Sequence, residues 1–143
     1  TVPYAERLTL GGSNTVRGWA LNHIGPYAYH PDTALAGEGS PGQAQLSSEI
    51  IPLGGLISLQ GSGELRVYGD NDFGLVMFVD VGNVWRDRET FQDFSLLPSV
   101  GIGARYVTPI GPFRIDLGRR LDQEPMYSEL NRWALHLSFS EAY

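Results

Sequence analysis

Four stretches of this chain alternate residue by residue between an apolar face and a face of small, polar or charged side chains. In Gly74–Trp85, Leu75, Met77, Val79 and Val81 share one face, and Val76, Phe78, Asp80 and Gly82 share the other. Leu96–Thr108 sets Val100, Ile102, Ala104 and Tyr106 against Ser99, Gly101, Gly103 and Arg105. Phe113–Leu121 sets Phe113, Ile115 and Leu117 against Arg114, Asp116 and Gly118, and Arg132–Tyr143 sets Trp133, Leu135, Leu137 and Phe139 against Ala134, His136, Ser138 and Ser140. Successive side chains of a strand point to opposite faces, so this pattern demands β-structure with one oily side. A fifth stretch, Leu56–Tyr68, repeats the design more weakly, with Gly61, Gly63, Leu65 and Val67 opposite Gln60, Ser62, Glu64 and Arg66. Val2–Leu8 reads as the tail of one more strand. The strands exceed the ordinary length of about 5–6 residues and match the ~9–11 that cross a membrane.

Alternation alone fits two architectures equally: a soluble sandwich with its polar face outward, and the wall of a transmembrane barrel. Two features favour the barrel. The connections alternate long (Trp19–Gly55), short (Gly69–Phe73), long (Arg86–Ser95), short (Pro109–Pro112) and long (Asp122–Asn131), as expected of short periplasmic turns and long external loops. Aromatic residues also gather at strand ends, with Tyr68, Phe73, Tyr106, Phe113 and Tyr143 at the short-turn level and Trp85 and Trp133 at the long-loop level. A mean hydropathy of −0.15 does not contradict this, because barrel strands are only half apolar. Five or six strands cannot close a barrel, which needs about 8. The expectation is therefore an all-β, antiparallel up-and-down sheet over residues 1–143 that is the C-terminal part of a larger barrel. Residues 1–55 would supply a strand end and a long external loop, and residues 56–143 five strands. Studied alone, such a piece should self-associate through its strand edges.

The composition removes other functions. Net charge is −6 with only 10 Lys and Arg, so nucleic acid is not an expected partner. There is no cysteine, hence no thiolate nucleophile or thiolate metal site. "LGGSN" lacks the Gly-Lys-Ser/Thr ending of a phosphate loop, and "GDNDFG" (Gly69–Gly74) lacks the spacing of a calcium loop and reads as a turn. His23, His30 and His136 are scattered, with His136 facing the lumen. No Gly-x-Ser-x-Gly is present. Neither an enzyme nor a cofactor nor a metal is expected. The segment Trp19–Gly55 is rich in Gly, Ala, Pro and Ser, and its Ser47–Leu56 portion is compatible with a short strand above the membrane.

Four motifs then resemble one family in order and spacing. "GGSNTVRGW" is similar to the (V)RG(F/Y/W) motif in the sixth external loop of the BamA/TamA superfamily of outer-membrane assembly factors (the bacterial surface antigen family). "VMFVDVGNVW" resembles its F-x-D-x-G strand, "VGIGARYVTPIGPFRIDLG" its penultimate strand pair, and "LHLSFSEAY" its closing strand. The resemblance implies that the loop folds back into the lumen, where Arg17, flanked by Gly18 and Trp19, meets Asp80, with Glu64 at the acidic position of the preceding strand. Asp80 and Glu64 both fall on the non-apolar faces derived above, where a charge belongs. The resemblance further implies a bacterial outer-membrane location, with lipid and unfolded outer-membrane proteins as partners and periplasmic repeats upstream. The closing strand, carrying Trp133, Leu135, Leu137, Phe139 and Tyr143, would form one side of a weak lateral seam. A polypeptide-secreting transporter of the same superfamily is the alternative, and the Thr108–Pro112 turn favours the assembly branch. A soluble β-sandwich is the remaining alternative, and purification without detergent as a compact monomer would support it.

Overall fold

The computed structural model of the protein describes residues 2–30, 49–70, 72–109, 111–122 and 131–139. Its strands are β1 (Tyr27–His30), β2 (Glu49–Pro52), β3 (Ile57–Tyr68), β4 (Phe73–Trp85), β5 (Leu97–Thr108), β6 (Gly111–Arg120) and β7 (Trp133–Phe139). The last five form one antiparallel meander in the order β3-β4-β5-β6-β7. The short turns are closed by local chemistry. Gly69 N donates to Phe73 O at 2.9 Å across a turn in which Asp72 takes a left-handed φ of 54°. In the β5–β6 turn the Thr108 hydroxyl donates to the Gly111 carbonyl, and Gly111 has a φ of 132°, which only glycine adopts without strain. The sheet agrees with the expected all-β architecture and, among the described residues, does not close.

Register sorts the side chains of this sheet inside out. Met77, Ile102, Leu117 and Leu135 lie in one row across four strands, next to the row of Leu75, Ala104, Ile115 and Leu137. The large side chains of both rows are exposed, whereas Asp80, Ser99, Arg105, Asp116 and Arg120 on the opposite face are buried. A protein surrounded by water buries the opposite set. On β4 the outward face stays apolar from Phe73 to Val81, about 27 Å of strand at ~3.4 Å per residue, close to the ~25 Å apolar band of a barrel. Phe73, Tyr106, Phe113 and Phe139 occupy a single row at the short-turn end. At the other end the Arg119 guanidinium lies 5.4 Å from the centre of the Trp133 ring, an outward-facing pair suited to a membrane interface. Tyr68 sits at the short-turn level but on the other face. It pairs with Gly74, and its ring lies so close that a Cβ there would be 2.7 Å away.

Residues 8–24 cover the inner face of the sheet at its long-loop end. Leu10, Val16, Trp19 and Ile24 pack with Val84 of β4 and Leu97 of β5 into a small buried core, against which Tyr27 rests. The expected strand tail at Val2–Leu8 is a correction. Tyr4–Glu6 forms a 3-10 turn, and Leu8 makes only an isolated bridge with Gly55. Pro3 lacks an N–H for a ladder, and its carbonyl instead accepts from Glu6 N at 3.1 Å. Within Trp19–Gly55, β1 and β2 pair antiparallel as a separate two-stranded sheet, which gives the Ser47–Leu56 portion a strand over Glu49–Pro52. Residues 31–48 and Tyr143 lie outside the described residues. On the long β4–β5 connection, Asp87 caps a 3-10 turn at Thr90–Gln92 by accepting from Thr90 N at 2.9 Å. Phe91 and Phe94 of this connection pack on Trp85 with ring centroids 4.9 and 5.6 Å away.

If the exposed apolar face is a lipid face, a charge at its centre must be costly. Ile102→Arg should lower the unfolding free energy of the full-length protein in vesicles by about 2–4 kcal/mol. Gln60→Arg, on the inward side of β3, should change it by no more than about 0.5 kcal/mol. Equal effects of the two changes in denaturant titrations would contradict the assignment of faces.

Candidate functional site

Arg17 is a buried charge on the inner face. It follows Val16 in the buried core and precedes Gly18, so the backbone at this point lies flat on the wall of the sheet. The residue is 3% exposed and its partner Asp80 on β4 is 0% exposed. Arg17 Nε donates to Asp80 Oδ2 at 2.8 Å and Nη2 to Asp80 Oδ1 at 2.7 Å, a fork across both carboxylate oxygens. The Arg17 backbone N–H adds a third bond to Asp80 Oδ2 at 3.0 Å. On β3, Nη1 is paired with Glu64, and Nη2 also donates to Ser62 Oγ at 3.1 Å. Ser62 in turn donates to Asp80 Oδ1 at 2.6 Å. The Phe78 ring lies under the guanidinium, 3.6 Å from ring centre to Cζ, and adds a cation–π contact. Burial opposes the charge on Arg17, but the hydrogen bonds and charges of Asp80 and Glu64 outweigh it and raise the guanidinium pKa. Glu64 is shared with Arg66, which reaches it from the exposed end of β3.

The wall is shaped for this segment. A Cβ on Gly18 would strike the Ser99 side chain and come within 3.0 Å of the Arg119 backbone. A Cβ on Gly118 of β6 would strike the Arg17 carbonyl and sit 2.8 Å from the Gly18 nitrogen. Glycine on both sides of the contact is what lets two backbones approach this closely. Ser99 Oγ on β5 accepts from the Gly18 N–H at 3.2 Å, and His136 Nε2 on β7 lies 3.0 Å from the Arg17 carbonyl oxygen. Trp19 completes the motif from the core side, with the Arg120 guanidinium 4.5 Å from its ring centre. Below the motif, Asp116 on β6 is buried between Arg105 Nη1 at 2.7 Å and Arg114 Nη2 at 3.3 Å.

The structure therefore brings Arg17, Gly18, Trp19, Asp80 and Glu64 together on one patch of the inner wall. Trp133, Leu135, Leu137 and Phe139 lie apart from it, exposed on the outward face of β7. Ser62, Phe78, Ser99 and His136 are parts of the site to which the sequence reading gave no role in it. Alternation had put each on the inner face. Their nearness to Arg17 depends on strand register, which the pattern along one strand does not contain. Chemically, the arrangement has a cation held by two carboxylates and the Ser62 hydroxyl. It is built to hold two chain segments together.

The sequence model of the Omp85 superfamily domain matches residues 1–140 of the chain. The chain belongs to the Omp85 superfamily. Among solved structures it is similar to BamA from Haemophilus ducreyi lacking POTRA domains 1–3, with a TM-score of 0.66 and 19% identity over 94% of this chain. At that identity the likeness speaks for the fold, and it places the five-stranded sheet as a stretch of an Omp85 barrel wall. The match covers 27% of that truncated BamA chain, so the sequence spans about a quarter of its length. Omp85 proteins belong to the bacterial outer membrane and are assembly factors and transporters, not enzymes. The exposed apolar rows are accordingly the lipid side of this Omp85 wall, and the Arg17 site is on the lumen side.

Removing the cation would leave Asp80 buried without its partner. Arg17→Ala should cost about 3–5 kcal/mol in the full-length Omp85 protein, read from urea unfolding in vesicles. Arg66→Ala removes only the exposed neighbour and should cost no more than about 1 kcal/mol.

Proposed function

We propose that this chain is the C-terminal wall of an outer-membrane assembly factor of the BamA type, which folds and inserts other β-barrel proteins. In this reading the Arg17–Trp19 segment belongs to an external loop that returns into the lumen, and Arg17, Asp80 and Glu64 lock it there. The observation that carries the reading is the buried fork of Arg17 on Asp80, supplemented by Glu64, between segments far apart in sequence. Such a contact restrains the mouth of a barrel without obstructing its outer face. β7 is then the closing strand. Its edge away from β6, where the described residues provide no neighbour, would offer main-chain donors and acceptors on which an incoming strand can be templated by the hydrogen bonding of an added strand. Lipid burial and strand pairing supply the free energy, so the reading requires no nucleotide or metal. Its partners are outer-membrane lipid and unfolded outer-membrane proteins, with periplasmic repeats in the parent chain.

The test is a charge exchange in the full-length protein. Arg17→Asp should cripple insertion of client barrels by placing three carboxylates together, and adding Asp80→Arg should restore part of the activity. Insertion that survives Arg17→Ala unchanged would sink the lock. If depletion of the protein abolished export of one polypeptide while leaving outer-membrane barrels at normal levels, the chain would belong to a secreting transporter instead.

A further inference from the structure

The Arg17–Gly18 peptide touches every strand of the five-stranded sheet. Its side chain holds β3 through Ser62 and Glu64, and β4 through Asp80 and Phe78. Gly18 N–H bonds Ser99 on β5, and the backbone rests on Gly118 of β6. The remaining contact is His136 Nε2 at 3.0 Å from the Arg17 carbonyl oxygen, and it belongs to β7. We propose that His136 is a positioning residue through which the arginine segment holds β7 in place, so that the segment is a strap across the whole sheet and not a clamp on β3 and β4 alone. This proposal rests on the reading of β7 as the closing strand.

Three features single out this contact. First, a carbonyl oxygen only accepts, so the bond fixes the proton on Nε2 of His136 and gives the ring one defined orientation. Second, among the described residues β7 pairs with β6, and in the seam reading its other edge is the weakly held one, so an additional tie from the inner face matters more to it than to an interior strand. Third, the Arg17 carbonyl can reach His136 only because Gly118, in the adjoining row of β6, leaves room for it. The side chain opposite His136 in the β6 ladder is Asp116, which is already engaged by Arg105 and Arg114. The partner of Nε2 on this side of the sheet is the Arg17 carbonyl oxygen, 3.0 Å away. His136 also shares a strand with the outward-facing Leu135 and Leu137, so a shift of β7 by one residue would turn it to the lipid side and break the bond.

The experiment is amide hydrogen exchange on the full-length protein in vesicles. His136→Ala should speed exchange of the β7 amides roughly three- to tenfold, as expected for loss of one hydrogen bond, while β3 and β4 amides stay as in the parent. Gln places an amide N–H about where Nε2 sits, so His136→Gln should return β7 exchange to near the parental rate. Gly118→Ala displaces the Arg17 carbonyl without altering His136 and should loosen β7 similarly, with little added by combining it with His136→Ala. Unchanged β7 exchange in His136→Ala, or a His136→Gln protein as loose as the alanine variant, would overturn the strap. Client insertion read on the same proteins separates this inference from the functional reading. Loss of insertion in Arg17→Ala with native β7 exchange in His136→Ala removes the strap and leaves the lock. Loosened β7 with normal insertion keeps the strap and removes the seam.

Discussion

A guanidinium and a carboxylate buried against each other set the terms for the inner half of this structure. Arg17 and Asp80 are both buried, and each alone would carry a desolvation cost of several kcal/mol. The pair is tolerable because each nitrogen of the fork is engaged, by Asp80, Glu64 and Ser62, with the Phe78 face beneath. A buried ion pair of this kind is weak evidence for stability, since a well-packed apolar cluster of the same volume does as well. Its distinctive property is that few alternative arrangements satisfy it. An apolar contact tolerates sliding by a few ångströms, whereas the bidentate geometry does not. The site therefore specifies where the loop sits on the wall more than it adds to the free energy of folding.

That requirement propagates into the residues of the wall. Because the motif lies flat on the strands, the inner face beneath it includes Gly101, Gly118, Ser62 and Ser99, with the Phe78 ring lying across Gly101 as a platform. The outer face faces the opposite demand. Lipid accepts bulky apolar side chains and no charges, and it receives Met77, Ile102, Leu117 and Leu135 in one row. The same strands thus alternate between two solvents, hydrocarbon outside and a polar, crowded lumen inside. A sheet with a single buried face would need neither the exposed apolar rows nor the glycine seat.

Much of this was legible from the chain because a period of two is a local property. The face on which Asp80, Glu64, Asp116 and His136 lie follows from counting along each strand, and the five long strands came out within about two residues of their ends where these are described. The closeness of Arg17 to Asp80 was not local. It came from resemblance to a family, since nothing in "TVRGW" names a partner so far along the sequence. Where neither pattern nor resemblance applied, the reading was incomplete. Val2–Leu8 looks extended, yet Pro3 interrupts any ladder and Tyr4–Glu6 turns. Tyr68 has the level of an interfacial aromatic, but its position in the β3–β4 register points its ring over Gly74 on the lumen side. Ser62, Ser99 and His136 carried no signal beyond their face, because a hydroxyl or imidazole shows its partner only once register brings another strand beside it.

In the proposed function the lock and the seam make opposing demands on one sheet, and β7 is where they meet. A strand that is to exchange partners has to be held weakly along its free edge, while a barrel wall in lipid cannot leave main-chain groups unpaired for long. Holding β7 from its inner face reconciles these demands. The His136 contact lies perpendicular to the ladder and uses no backbone donor or acceptor of β7 itself. It keeps the face orientation of the strand without occupying the edge at which another strand would pair. Seen this way, the arginine segment does not compete with strand exchange at all. Under the proposed strap, its five-strand span would fix the register of the wall, and the freedom left to β7 would be confined to its outer edge, where the proposed function adds a strand.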